Sequence, residues 1–142
     1  MYEPIRTKSV HSAMADTASD FPHRTREEEL DIQLAGHLAA LLAVTDELRA
    51  LAPSADLDTA ADQLAGQVAR LRGGRTPARA ATSGGPRVSQ VTALHLRAHA
   101  LAGRALVVAA SRADTAAAIL SAERMDAHTA ALSEPRELSA TG

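Results

Sequence analysis

Apolar residues in this chain fall into three runs with a period near 3.6, separated by Pro and Gly stops. The first run opens at Thr25, where Glu28 three residues on completes a capping box. Glu27 and Glu29 suit the positive end of a helix dipole. The run REEELDIQLAGHLAALLAVTDELRALA then sets Leu30, Leu34, Leu38, Leu41, Leu42, Val44, Leu48 and Leu51 on one wide arc, and Pro53 stops it. This predicts a helix over about 26–52. Ser54 or Asp56 can cap a second helix, 56–72, with the stripe Leu57, Ala61, Leu64, Val68 and Leu71; Gly73–Gly74 closes it. Residues 73–87, GGRTPARAATSGGPR, form a loop by composition, longer than a usual helix connection.

From Val88 to about Leu132 only Gly103 interrupts a third helical run. Its stripe is Val91, Leu94, Leu101, Ala105, Val108, Ala116, Ile119 and Leu120. Arg112 and Glu123 fall inside that stripe if the helix is continuous. Two charges on a core face argue for a break near 111–114, with Asp114 capping a fourth helix. The missing Gly/Pro stop argues for one long helix. Both readings stay open. Residues 1–24 are polar, carry Pro4 and Pro22 and show no period, so they read as a flexible arm; 133–142 reads as a flexible tail. The pattern predicts an all-α fold: one domain at 25–132, an antiparallel bundle of three long helices, or four if the last one breaks.

The third helix carries a second apolar side, made of Leu96, Gly103, Val107, Ala110 and Met125. A helix apolar on two sides is central in its bundle or shared between subunits. With two other helices to cover it, a homodimer interface is expected there; scattered surface apolar residues are the competing reading.

Composition narrows the core. One Tyr and one Phe, both within the first 21 residues, leave packing to Leu, Val, Ile and Ala. Ala is the best helix former but fills little volume, so modest stability and self-association are expected. With no Cys, disulfides, thiolate metal sites and Cys nucleophiles are excluded. The first twenty residues lack an apolar signal region, and no run of 18 apolar residues exists, so a cytoplasmic protein without a membrane partner is expected.

Charge changes the picture more. Residues 1–62 carry a net −7, residues 63–113 contain eight Arg and no acid, and the remainder is −3. In one reading the acidic first helix lies beside the basic segment and the fields cancel. In the other, Arg70, Arg72, Arg75, Arg79 and Arg87 form an anion- or partner-binding set, since the planar guanidinium fork suits phosphate and carboxylate. An acidic protein is the preferred partner in that case; nucleic acid is the lesser one, because no aromatic stands ready for base stacking and no DNA-binding motif is visible.

His95 and His99 stand one helical turn apart and share a side of the helix. If helices one and three run parallel, His37 comes to a similar height, and the three could hold Zn²⁺ with an open fourth position. Histidines without a ligand, or a pH-sensitive interface, are the competing readings. No nucleophile, acid/base pair or cofactor fingerprint is placed by motif, so neither catalysis nor a cofactor is expected.

The polar arm, REEELDIQLAGHLAALLAVTDEL and LAGRALVVAASRADTAAAIL together resemble a small all-helical protein of high-GC actinobacteria. The resemblance covers about 26–132, implies a helical fold and carries over no activity and no functional residue. The function expected is a non-enzymatic cytoplasmic interaction or regulatory module. Anion or nucleic-acid binding is the first alternative and metal binding the second.

Overall fold

The computed structural model describes residues 24–79 and 88–141, with side chains described up to Ser133. It consists of four helices: α1 (Arg26–Leu51), α2 (Ala55–Leu71), α3 (Val88–Arg112) and α4 (Thr115–Thr141). Three of the starts, those of α1, α2 and α4, follow from local chemistry. The Thr25 hydroxyl accepts from the Glu28 N–H at 3.0 Å, while Glu28 accepts from the Thr25 N–H at 2.8 Å. The Ser54 hydroxyl accepts from the Leu57 N–H at 3.1 Å, and Asp114 from the Ala117 N–H at 3.1 Å. At the end of α2, Gly73 and Gly74 adopt φ of 71° and 93°, returning their N–H groups to the Arg70 and Ala69 carbonyls.

The third helical run therefore breaks, where three long helices or four had been open, and the break sits at Ala113–Asp114. Two N–H bonds close α3: Ala113 to the Ala110 carbonyl at 3.1 Å and Asp114 to the Ala109 carbonyl at 2.9 Å. After it the buried face of α4 is Ala117, Leu120, Ser121, Arg124 and His128. Ala116 and Ile119 of the expected stripe are exposed. Arg112 reaches Asp31 at 3.0 Å and Glu123 faces outward, so neither charge sits in the core. At the other end α4 continues to Thr141, where a flexible tail from 133 was expected. Glu134, Arg136, Glu137 and Leu138 are good helix formers, and the helix passes Pro135 at the cost of one backbone bond.

Long-range ion pairs fix the topology. Arg112 at the end of α3 meets Asp31 near the start of α1, so α1 and α3 are antiparallel. Arg70 at the end of α2 meets Asp114 at the start of α4 at 2.8 Å. The order is up, down, down, up, and the parallel arrangement of helices one and three is corrected. The physical reason lies in the connection 72–87, long enough at ~3.3 Å per residue to return along the bundle instead of turning at its end. Its described part lies along α1, with Pro77 buried and Arg79 reaching Asp46.

The core is leucine-rich on one side and alanine-rich on the other. Leu34, Leu38, Leu41, Leu42 and Leu48 of α1 and Leu64 and Val68 of α2 are fully buried, facing Ala98, Ala102, Ala105 and Ala109 of α3 and Ala117 of α4. The α1–α2, α1–α3 and α3–α4 pairs pack closely, whereas α2 and α4 touch sparingly. Between those two lies a groove of about 440 Å³ bounded by Asp62, Gln63 and Gly66 on one wall and Ile119, Leu120 and Glu123 on the other.

Candidate functional site

The most unusual chemistry in the molecule is buried between α3 and α4. His95 on α3 and His128 on α4 face each other with Nδ1 atoms 2.8 Å apart and ring centroids 5.1 Å apart. His128 is 1% exposed. One turn before it on α4, Arg124 is 4% exposed; one of its terminal nitrogens lies 3.5 Å from His128 Nε2 and the other 3.1 Å from Asp56 at the start of α2. Arg124 Nε and the nearby Ser121 hydroxyl are buried without a hydrogen-bond partner among the described residues.

Hydrogen-bond chemistry fixes the tautomers. A guanidinium only donates, so His128 Nε2 facing Arg124 presents its lone pair and the His128 proton resides on Nδ1. That Nδ1–H donates to His95 Nδ1, which leaves the His95 proton on Nε2. Both rings are then neutral. Electrostatics agree: burial, then the Arg124 charge, push the His128 imidazole down to about 3, and the same two causes in the same order lower His95. A chain of polar contacts runs from exposed Asp56 through Arg124 and His128 to His95.

His37 is half-buried on α1 and His99 half-buried on α3, one turn past His95. The structure does not assemble His37, His95 and His99; His95 turns to His128 instead. Among the described residues no three His, Cys, Asp or Glu side chains are grouped to hold a metal ion. The antiparallel direction of α3 against α1 removes the register on which that trio rested.

The arginines divide. Arg79 forks onto Asp46, Nε to Oδ2 at 2.8 Å and a terminal nitrogen to Oδ1 at 2.7 Å, and Asp46 also accepts from Arg49 at 3.1 Å. Arg70 is bound to Gln67 and Asp114. Arg72 and Arg75 are exposed and form no ion pair among the described residues. Arg87 lies outside the described residues. The basic segment thus spends Arg70, Arg79 and Arg112 on acids of the same chain. Burial alone would raise the Asp114 carboxyl, but the Arg70 guanidinium and the Ala117 N–H outweigh it and hold that group below its ordinary value.

The five positions of the expected interface also divide. Leu96 and Val107 stand 57% and 66% exposed, and Ala110 is exposed beside them. Gly103 instead faces α4: a Cβ there would lie 3.6 Å from the Met125 methyl, so these two meet inside the chain. Folding α4 back at Ala113 turned part of the second apolar side inward.

Sequence reasoning missed His128, Arg124, Ser121 and Asp56. Arg124 and His128 are spaced i, i+4, a signal that points to the core only after the break at 113 has rotated the face of α4. No family model matches the chain, and neither a curated protein nor a solved structure does.

Proposed function

We propose that the protein is a non-enzymatic helical interaction module of the cytoplasm that self-associates through the outer face of α3. The observation that carries this reading is the exposure of Leu96 and Val107 on a helix face without a single charge. At 100° per residue, Ser89, Thr92, Leu96, Ala100, Val107 and Ala110 fall within one sector of α3, opposite the buried Leu94, Ala98 and Ala105. Ala93, Ala100 and Val107 recur every seven residues, and Leu96 and Ala110 stand two such repeats apart. A seven-residue repeat keeps a seam facing a partner helix over several turns, and small side chains let the two axes approach closely.

Arg97 and Arg104 border this face on the α1 side. A two-fold axis parallel to α3 sets the arginine borders of the two copies on opposite sides of the seam. An axis perpendicular to α3 opposes arginine with arginine, so parallel α3 helices are favoured at the dimer seam.

Sedimentation equilibrium of the full chain tests the reading, alongside Leu96→Glu/Val107→Glu. The wild type should be dimeric and the double variant monomeric with unchanged helical circular dichroism. A wild type that stays monomeric at the highest concentrations reached ends the proposal. The anion-binding alternative is weakened by the Arg79 fork, which Asp46 already fills.

A further inference from the structure

We infer that the His95–His128 pair, with Arg124 behind it, is an acid-sensitive clasp that holds α4 on α3 when neutral and releases it when either imidazole takes up a proton. The inference stands whether or not the chain self-associates, since the clasp lies inside one copy.

The geometry leaves an added proton no stable position. In the neutral pair His128 Nδ1–H donates to His95 Nδ1 at 2.8 Å, and His128 Nε2 presents its lone pair to Arg124. A proton placed on His95 Nδ1 sets two N–H groups against each other at that distance. A proton placed on His128 Nε2 sets an N–H against the guanidinium. Either position breaks a contact and adds positive charge beside Arg124 in a nearly dry space, where an uncompensated charge is expensive. The ionisable groups acting on His128 are Arg124 from α4, His95 and His99 from α3 and Asp56 from α2; none comes from α1. Only Asp56 favours a proton, and it is exposed and already paired with Arg124. The α3–α4 seam must separate for the imidazoles to reach water and charge.

The sign follows from linkage. Both imidazoles are shifted down in the folded state, so the clasp contributes its full stability above the ordinary imidazole value of about 6.5 and loses it as pH falls below that value. Each imidazole that protonates on opening raises the open population by up to about tenfold per pH unit. Between about pH 6.5 and 5 most carboxylates remain ionised, so the histidines stand alone in that window.

Hydrogen exchange of the full chain, corrected for intrinsic rates, tests the clasp. Amides of 121–132 and 92–99 should lose protection by about tenfold or more per pH unit across that window, while 34–48 keep theirs. In His95→Leu/His128→Leu the pH dependence of 121–132 should vanish. Should that variant fail to fold, imidazole ¹⁵N shifts of the wild type decide instead. They should show the His128 proton on Nδ1, the His95 proton on Nε2 and no titration of either ring near 6.5. Flat exchange in the wild type, an unchanged slope in the double variant, or an imidazole of the pair titrating near 6.5 overturns the inference.

Discussion

The two hairpins of this bundle are built on different physics. The α1–α2 pair presents Leu34, Leu38, Leu41, Leu42, Leu48, Leu57, Leu64 and Val68 to the interior. The α3–α4 pair presents Ala98, Ala102, Ala105, Ala109 and Ala117, with Leu94, Leu101 and Leu120 and the polar group His95, Ser121, Arg124 and His128. Burying a leucine side chain is worth about 1.5–3 kcal/mol, and an alanine methyl well under half of that. The first hairpin therefore supplies most of the hydrophobic driving force. In the second, small side chains allow close approach and directional polar contacts set the register. Polar groups in a core specify one arrangement but tolerate little change, because each loses much when its partner goes.

The largest effect that separates the halves is a cavity. Leu38→Ala removes a fully buried side chain of the core cluster and should cost about 3 kcal/mol, within the range of such core truncations. Ala105→Gly, equally buried on α3, removes one methyl and a good helix former and should cost about 1 kcal/mol. Urea denaturation of both variants checks the ratio. Equal losses would mean that the alanine-lined side carries as much of the packing energy as the leucine side.

A middle-sized effect concerns the strap that lets the halves lie as they do. Asp46 is buried on α1 and accepts both arms of the Arg79 fork as well as Arg49. Asp46→Ala should cost about 1–2 kcal/mol, because a charge-assisted network is lost from a partly buried site. Its more specific consequence is local: trypsin should cut after Arg75 and Arg79 faster in the variant while cleavage within α1 and α2 stays slow. Equal rates at Arg75 and Arg79 in both proteins would show that Pro77 and its surroundings, not the ion pair, hold the segment on α1.

Much of the first hairpin is legible in the sequence. The capping box at Thr25, Pro53 between the helices and the stripe from Leu57 to Val68 are each local signals, and each appears where the local chemistry puts it. The direction of α3 is not legible, because the acid on Asp46 that receives Arg79 lies 33 residues away along the chain. The His95–Arg124–His128 cluster is hidden for a related reason. Its members share a buried space only after a reversal at Ala113, and the charge of Arg124 reads as surface until Asp56 is brought beside it. The excess of arginine over acid in 63–113 left internal cancellation and an outside partner both open, and the fold uses Asp31, Asp46 and Asp114 to absorb part of it.

The smallest expected effect has the opposite sign and concerns the reversal itself. The ends of α2 and α3 close with the same pair of backbone bonds: the residue after the cap returns to the carbonyl three back, and the next to the carbonyl five back. This geometry needs a left-handed residue just past the cap. At the end of α2 that residue is Gly73, with φ 71°, and the stop is visible in the sequence. At the end of α3 it is Ala113, with φ 59°, where a Cβ carries a steric cost that glycine does not. The N-cap bond from Asp114 and its pair with Arg70 hold the chain in this conformation despite that cost. Ala113→Gly relieves the strain and should stabilise the protein by about 0.5 kcal/mol, the relief being partly offset by greater freedom of the unfolded chain. Gly73→Ala, the mirror change, should destabilise by about 1 kcal/mol at an otherwise open position. Opposite shifts in denaturation midpoint would establish that the two hairpins end their inner helices by one device. A loss of stability in Ala113→Gly would instead show that the added freedom of the unfolded chain outweighs the strain relieved at Ala113.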